Sequence, residues 1–99
     1  MTPASNPSRV AVIVPVRNGA ATIEECLLAL QQEPGVDELI VVDDGSTDDT
    51  AARLIRFEGV RVIRHGEPRG APATRNTGAQ ATQADILAFV DADVVVLEG

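Results

Sequence analysis

The chain has 99 residues, 44% of them apolar and 23% charged, which is the composition of one small folded domain rather than of a disordered segment. Its formal net charge is −7 and it carries no basic cluster, which argues against nucleic-acid binding through a general electrostatic patch. Cys26 is the single cysteine, so an internal disulfide framework is excluded; no apolar run is long enough for a membrane span and no signal-peptide pattern opens the chain, so the expectation is a cytoplasmic chain, even if a longer parent is membrane-associated.

Residues 1–8 hold two Pro, two Ser and an Asn without periodicity and read as a flexible lead-in to a domain over 9–99. Four apolar runs follow as predicted strands: Arg9 to Val16, Glu38 to Asp43, Val60 to His65 and Asp85 to Asp91. Three are near-continuous Val, Ile, Leu, Ala and Phe stretches, the pattern of strands covered on both faces. The third alternates with Arg and is expected at a sheet edge.

Between the strands lie helical signals. Thr22 and Glu25 have capping-box spacing, and Ile23, Cys26, Leu27 and Leu30 repeat at helical intervals. Ser46 with Asp49 gives the same start signal, with Ala51, Leu54 and Ile55 expected on one face. The third helix has Pro72 near its first turn and an Ala/Thr/Gly composition through Thr82 that allows close packing on a sheet. The alternation predicts an α/β fold, a Rossmann-like open parallel sheet with flanking helices, whose ligands bind outside the carboxyl ends of the strands.

Four motifs fall at such ends. Val14 to Gly19 holds Pro15, Arg17 and Asn18, and on its own is also a plain strand-to-helix turn. Val41-Val42-Asp43-Asp44-Gly45-Ser46-Thr47-Asp48 delivers two adjacent carboxylates from a buried strand. Either a ligand donates hydrogen bonds to them, or both acids cap the next helix at its positive end. Gly70 to Gly78 opens a helix with Gly70, which allows close approach of an anion, and carries Arg75 as a charged contact or a solvated residue. Finally, Asp91 and Asp93 lie two apart at the end of an apolar strand, where both can face one hard cation such as Mg²⁺ or Mn²⁺ rather than form a solvated turn.

In this order and at these intervals, DDGSTDDT, RNTG and DAD resemble the family 2 glycosyltransferases over nearly the whole stretch from Arg9 to Val94. The resemblance implies a truncated GT-A fold with strand order 3-2-1-4, acting on a nucleoside-diphosphate sugar, a uridine one above all, with Mn²⁺ or Mg²⁺ and an unknown acceptor. It places Pro15, Arg17, Asp43, Asp44, Gly70, Arg75 and Asp91 in nucleotide-sugar binding and Asp93 and Asp91 at the metal, with Asp44 toward the nucleoside and Asp93 as the direct ligand. The proton-accepting carboxylate is expected beyond Gly99, so no catalytic residue is assigned within the chain. Three positions depart from the pattern: Arg17 stands for an aromatic, Gly19 for Glu and Pro68 for Asn. A guanidinium plane can still stack on a base.

Two rival readings are a non-catalytic nucleotide-binding or self-associating fragment, and a haloacid-dehalogenase-type phosphatase, whose nucleophile motif Asp91-Ala92-Asp93-Val94-Val95 also fits. Homo-oligomers are expected through the exposed sheet edge at the fourth strand and the apolar run 94–97. Cys26 is expected to be a small core hydrophobe, and His65 a surface residue without an acid partner.

Overall fold

The computed structural model describes residues 8–92; residues 1–7 of the lead-in over 1–8, Asp93 and the run 94–97 lie outside the described residues. Seven elements follow in order: β1 (Val10–Val16), α1 (Ile23–Gln31), β2 (Glu38–Asp44), α2 (Thr50–Leu54), β3 (Val60–His65), α3 (Ala71–Gln80) and β4 (Ile86–Phe89). The strands form one parallel sheet in the order β3-β2-β1-β4.

Because side chains alternate across a strand, each central strand supplies both faces of the sheet. Val12, Val14 and Val16 of β1 with Leu39 and Val41 of β2 meet Ile23, Cys26, Leu27 and Leu30 of α1 and Leu54 of α2. On the other face Ile13, Ile40 and Val42 form a smaller cluster with Ile63, Ala79 and Ala81, under α3. Cys26 is fully buried in the first cluster, as its place on the helix implied.

The helix starts differ from expectation. Thr22 makes no side-chain capping bond, and the amides of Thr22 and Ile23 bond instead to the Gly19 carbonyl, so a backbone turn leads into α1 without the capping box. Glu24 rather than Glu25 is engaged, pairing with Arg53 of α2. Helix α2 begins only at Thr50, whose amide donates to Asp48 Oδ1, because the Ser46 hydroxyl is taken up by the Asn18 amide. Being so short, α2 leaves Ile55 beyond its end and 83% exposed, not on the buried face.

The edges behave as edges. β3 sits at one margin as its alternation implied, and β4, whose composition is that of a covered strand but whose edge was expected to be exposed, pairs only with β1 and exposes Ile86, Leu87 and Phe89 among the described residues.

Helix α3 lies against the sheet through Gly78, where an added Cβ would stand 2.4 Å from Ile13 Cγ2 and 3.3 Å from Val42 Cγ2. Neither neighbour has space to retreat, since both are fully buried. Gly78→Ala should therefore lower stability by about 1 kcal/mol in urea unfolding, because overpacking of about 1–3 kcal/mol outweighs a helix-propensity gain of about 1 kcal/mol. A stabilised variant would show that the helix moves away from the sheet without cost.

Candidate functional site

Alternation along β2 separates the two adjacent acids. Asp43 continues the face of Leu39 and Val41 toward α1 and α2, and Asp44 continues the face of Ile40 and Val42 toward α3. Asp43 is fully buried; its Oδ1 accepts the Ser46 amide at 3.0 Å, while Oδ2 has no hydrogen-bond partner among the described residues. The nearest cation is Arg64, with Nε 3.9 Å away, and a second arm of the same guanidinium donates to the Ser46 carbonyl at 2.9 Å. Asp43 thus ties down the turn after β2.

Asp44 is 5% exposed and faces a cleft of about 330 Å³ at the carboxyl ends of β1 and β2. Its Oδ1 accepts from His65 Nδ1 at 2.7 Å and from the Arg69 amide at 2.8 Å, and its Oδ2 accepts the Gly70 amide at 3.0 Å. Burial pushes the Asp44 carboxyl upward, but the hydrogen bonds from His65 and from the Arg69 and Gly70 amides outweigh it and hold the group at about 2. Asp44 is then a carboxylate without a proton to give, so His65 Nδ1 is the donor. The other ring nitrogen, Nε2, lies 2.8 Å from Thr77 Oγ1 on α3.

His65 is therefore buried, at 4% exposure, and partnered by an acid, contrary to the surface position expected for it. The parallel register places it beside Asp44 on the neighbouring strand, a partner 21 residues away in sequence.

The same cleft is lined by Pro15, Arg17, Gly70, Arg75 and Asp91, so six of the eight residues singled out in the sequence come together. Asp43 is turned away, and Asp93 lies outside the described residues. Thr74, which the sequence reading gave no role, and Pro68, which it named only as a departure from the family pattern, also line the cleft. Gly70 opens α3 with φ of 96°, a conformation that favours glycine, and Pro72 follows in the first turn. A neighbouring cleft of about 400 Å³ adds Asn18, Gly19 and Thr22, with Arg17 and Asp91 lining both.

The loops around the clefts are stapled to one another. Asn18, at φ of 54°, accepts through Oδ1 from the amides of Thr47 and Asp48 at 2.8 and 3.3 Å, and its own amide donates to Ser46 Oγ at 2.8 Å. The Gly19 amide donates to Thr50 Oγ1 at 2.9 Å. An added Cβ at Gly19 would stand 2.5 Å from Val16 Cγ2, so any larger residue there requires the Val16 side chain to shift. At Gly45, with φ of 70°, a Cβ would meet the Pro68 nitrogen at 2.7 Å, which brings the β3–α3 loop against the end of β2.

The folded carboxyl of Asp44 lies below its ordinary value of 3.8, so between 3.8 and about 2 the unfolded chain binds more protons and stability rises with pH. Its contribution is complete above that window and is lost as pH falls through about 2. In urea unfolding followed against pH, the stability gap between the wild type and Asp44→Asn should be constant near neutrality and close across this window; a gap that persists at the acid end would contradict the hydrogen-bond assignment.

Comparison with known proteins agrees with this architecture. Residues 11–99 match the family described as glycosyl transferase family 2. The pre-mycofactocin glycosyltransferase of Mycobacterium tuberculosis (strain H37Rv) is 38% identical over 104 aligned positions, covering 98% of this chain and 21% of that protein. A mannosyltransferase from Pyrobaculum calidifontis, solved with GDP-Man and Mn²⁺, superposes with a TM-score of 0.84 at 30% identity, covering 92% of this chain and 29% of that one. The glucosyl-3-phosphoglycerate synthase of M. tuberculosis, solved with Mn²⁺, UDP and glucosyl-3-phosphoglycerate, does so with a TM-score of 0.76 at 35% identity, covering 89% and 34%. This chain thus spans between a fifth and about a third of the length of these relatives. The match replaces the phosphatase reading of Asp91-Ala92-Asp93: with its β3-β2-β1-β4 sheet and its cleft at the strand ends, the chain belongs to glycosyl transferase family 2.

Proposed function

We propose that this chain is the donor-binding part of a glycosyltransferase that uses a uridine-diphosphate sugar with Mn²⁺ or Mg²⁺. The observation that carries the reading is Asp44: a buried carboxylate, nearly saturated by protein donors, that still borders the cleft. Oδ1 already accepts two hydrogen bonds, whereas Oδ2 accepts one, from Gly70. The Thr74 hydroxyl gives its single proton to the Gly70 carbonyl at 2.7 Å, leaving one acceptor site on Oδ2 open. An imino N–H of a pyrimidine base fits one such site.

The rest of the cleft suits a diphosphate. The amino end of α3 borders the cleft at Gly70 and Ala71, where the helix field favours negative charge, and Arg17 and Arg75 add positive charge. Arg17 also offers a flat guanidinium on which a base can stack. Asp91 is an exposed carboxylate in both clefts, and with Asp93 two residues on it provides the hard oxygen donors such ions take alongside phosphates. When bound, the ion supplies Lewis-acid stabilisation of the departing diphosphate. The metal in the two solved relatives is Mn²⁺ in each case.

Transfer itself belongs, in this reading, to a longer protein, since the relatives are three to five times the length of the region matched. The chain should bind UDP in the presence of Mn²⁺ and fail to transfer sugar. Replacing Arg75 by Ala should weaken UDP binding by roughly tenfold, the order of a charge-assisted hydrogen bond, in titration calorimetry. Asp93→Asn should reduce manganese-induced paramagnetic broadening of bound UDP more than Asp91→Asn does. Equal broadening in the wild type and Asp93→Asn would refute the ligand assignment, and sugar transfer by the isolated chain would refute its incompleteness.

A further inference from the structure

We infer that His65 is a positioning residue that sets base selectivity in the cleft: it locks the Asp44 carboxylate so that a single acceptor, on Oδ2, is left for the base, which favours uracil over guanine. The inference rests on the reading of Asp44 as the base-recognising group.

His65 does not line the cleft, so whatever it does to a ligand it does through Asp44. Its Nδ1 proton occupies one acceptor site of Oδ1 at 2.7 Å, and the Arg69 amide occupies the other at 2.8 Å. A carboxylate is free to turn about its terminal torsion unless its oxygens are held. Here three donors hold it, and His65 is the only one of them that is a side chain, braced at its far nitrogen by Thr77 Oγ1 at 2.8 Å. Thr77 is in turn fixed by its hydrogen bond to the Ala73 carbonyl at 3.0 Å, so the brace runs back into α3.

The consequence for a base follows from donor counting. Uracil presents one imino N–H between two carbonyls and needs one acceptor. Guanine presents a ring N–H and an adjacent amino group side by side, and pairs with a carboxylate through both oxygens. With Oδ1 filled by His65 and Arg69, the two-oxygen face is closed and the guanine amino group meets no acceptor. An unpaired donor in a desolvated site is penalised more heavily than a matched one is rewarded.

The test is calorimetric titration of the chain with UDP and with GDP, both with Mn²⁺, in the wild type and in His65→Leu, His65→Asn, Thr77→Val and Asp44→Ala. The wild type should prefer UDP by roughly tenfold or more, as expected for one mismatched hydrogen bond to a charged group. His65→Leu should bring the ratio close to one, while His65→Asn, whose amide nitrogen can take the place of Nδ1, should keep most of it. A purely structural role would weaken both nucleotides alike and leave the ratio unmoved. If His65→Leu does not fold, as judged by circular dichroism, Thr77→Val carries the test through loss of the brace and should lower the ratio severalfold. An unchanged ratio in His65→Leu or, failing that, in Thr77→Val, together with its loss in Asp44→Ala, overturns the role of His65 and leaves the Asp44 reading standing. A wild type without preference, or an Asp44→Ala variant that keeps the wild-type ratio, overturns the Asp44 reading and this inference with it.

Discussion

Much of the site depends on one buried carboxylate and the donors gathered around it. Moving an ionised Asp away from water at the end of a strand is costly unless hydrogen bonds replace its hydration. For Asp44 they come from the amides of Arg69 and Gly70 and from the His65 ring. These donors belong to β3, to the loop after it and to the entry of α3, so satisfying one side chain of β2 joins three successive pieces of chain. The positive φ of Gly70 follows from the same demand, because the chain must turn both amides back onto the carboxylate before starting the helix. The helix entry adds its own favourable field for negative charge, which acts on Asp44 as well as on any phosphate in the cleft.

The sheet and its helices were legible because their causes are local. Unbroken apolar runs in β1 and β2, and helical spacing of Ile23, Cys26, Leu27 and Leu30, are direct records of burial, and the residues concerned are the buried core. The residues that line the cleft were legible for a related reason: polar groups at the ends of buried strands have few structural explanations. What escaped was pairing across the fold. His65 finds Asp44 through strand register 21 residues away and Thr77 through helix packing 12 residues away, and neither distance leaves a trace in the local pattern. Ser46 and Asp49 had the spacing of a helix start, yet the Ser46 hydroxyl went to the Asn18 amide 28 residues earlier, a competition that sequence spacing cannot register. β4 has the composition of a covered strand, and its exposed edge was legible only through the strand order that the family resemblance implied, not from its own residues.

The paired acids show how a short motif divides its labour. Adjacent residues on a strand point to opposite faces, so Asp43 and Asp44 cannot both serve one cleft. Asp44 organises the α3 side, while Asp43 holds the Ser46 turn and draws Arg64 across it. From that turn onward, Ser46, Thr47 and Asp48 meet Asn18 of the β1–α1 loop, which fixes the two loops to each other beside Arg17. The polar residues of the DDGSTD run are therefore largely used to set loop positions, with Asp44 the member that meets the ligand space.

The anionic ligand of the proposed function would have to enter a chain of net charge −7. At physiological ionic strength charges separated by more than about 8 Å are largely screened, so the overall charge matters less than the groups within one or two contacts of the cleft. Those groups are Arg17, Arg75 and the amino end of α3 on the positive side, against Asp44 and Asp91. The negative charge of Asp44 is already met by His65 and two amides, which removes much of its repulsion toward a phosphate. Asp91 has no such compensation among its described neighbours and is the group that a divalent cation would neutralise. In the proposed function the two carboxylates therefore take different counterparts, protein donors for the one beneath the base and a metal for the one beside the phosphates, and that separation lets an acidic surface accept a nucleoside diphosphate.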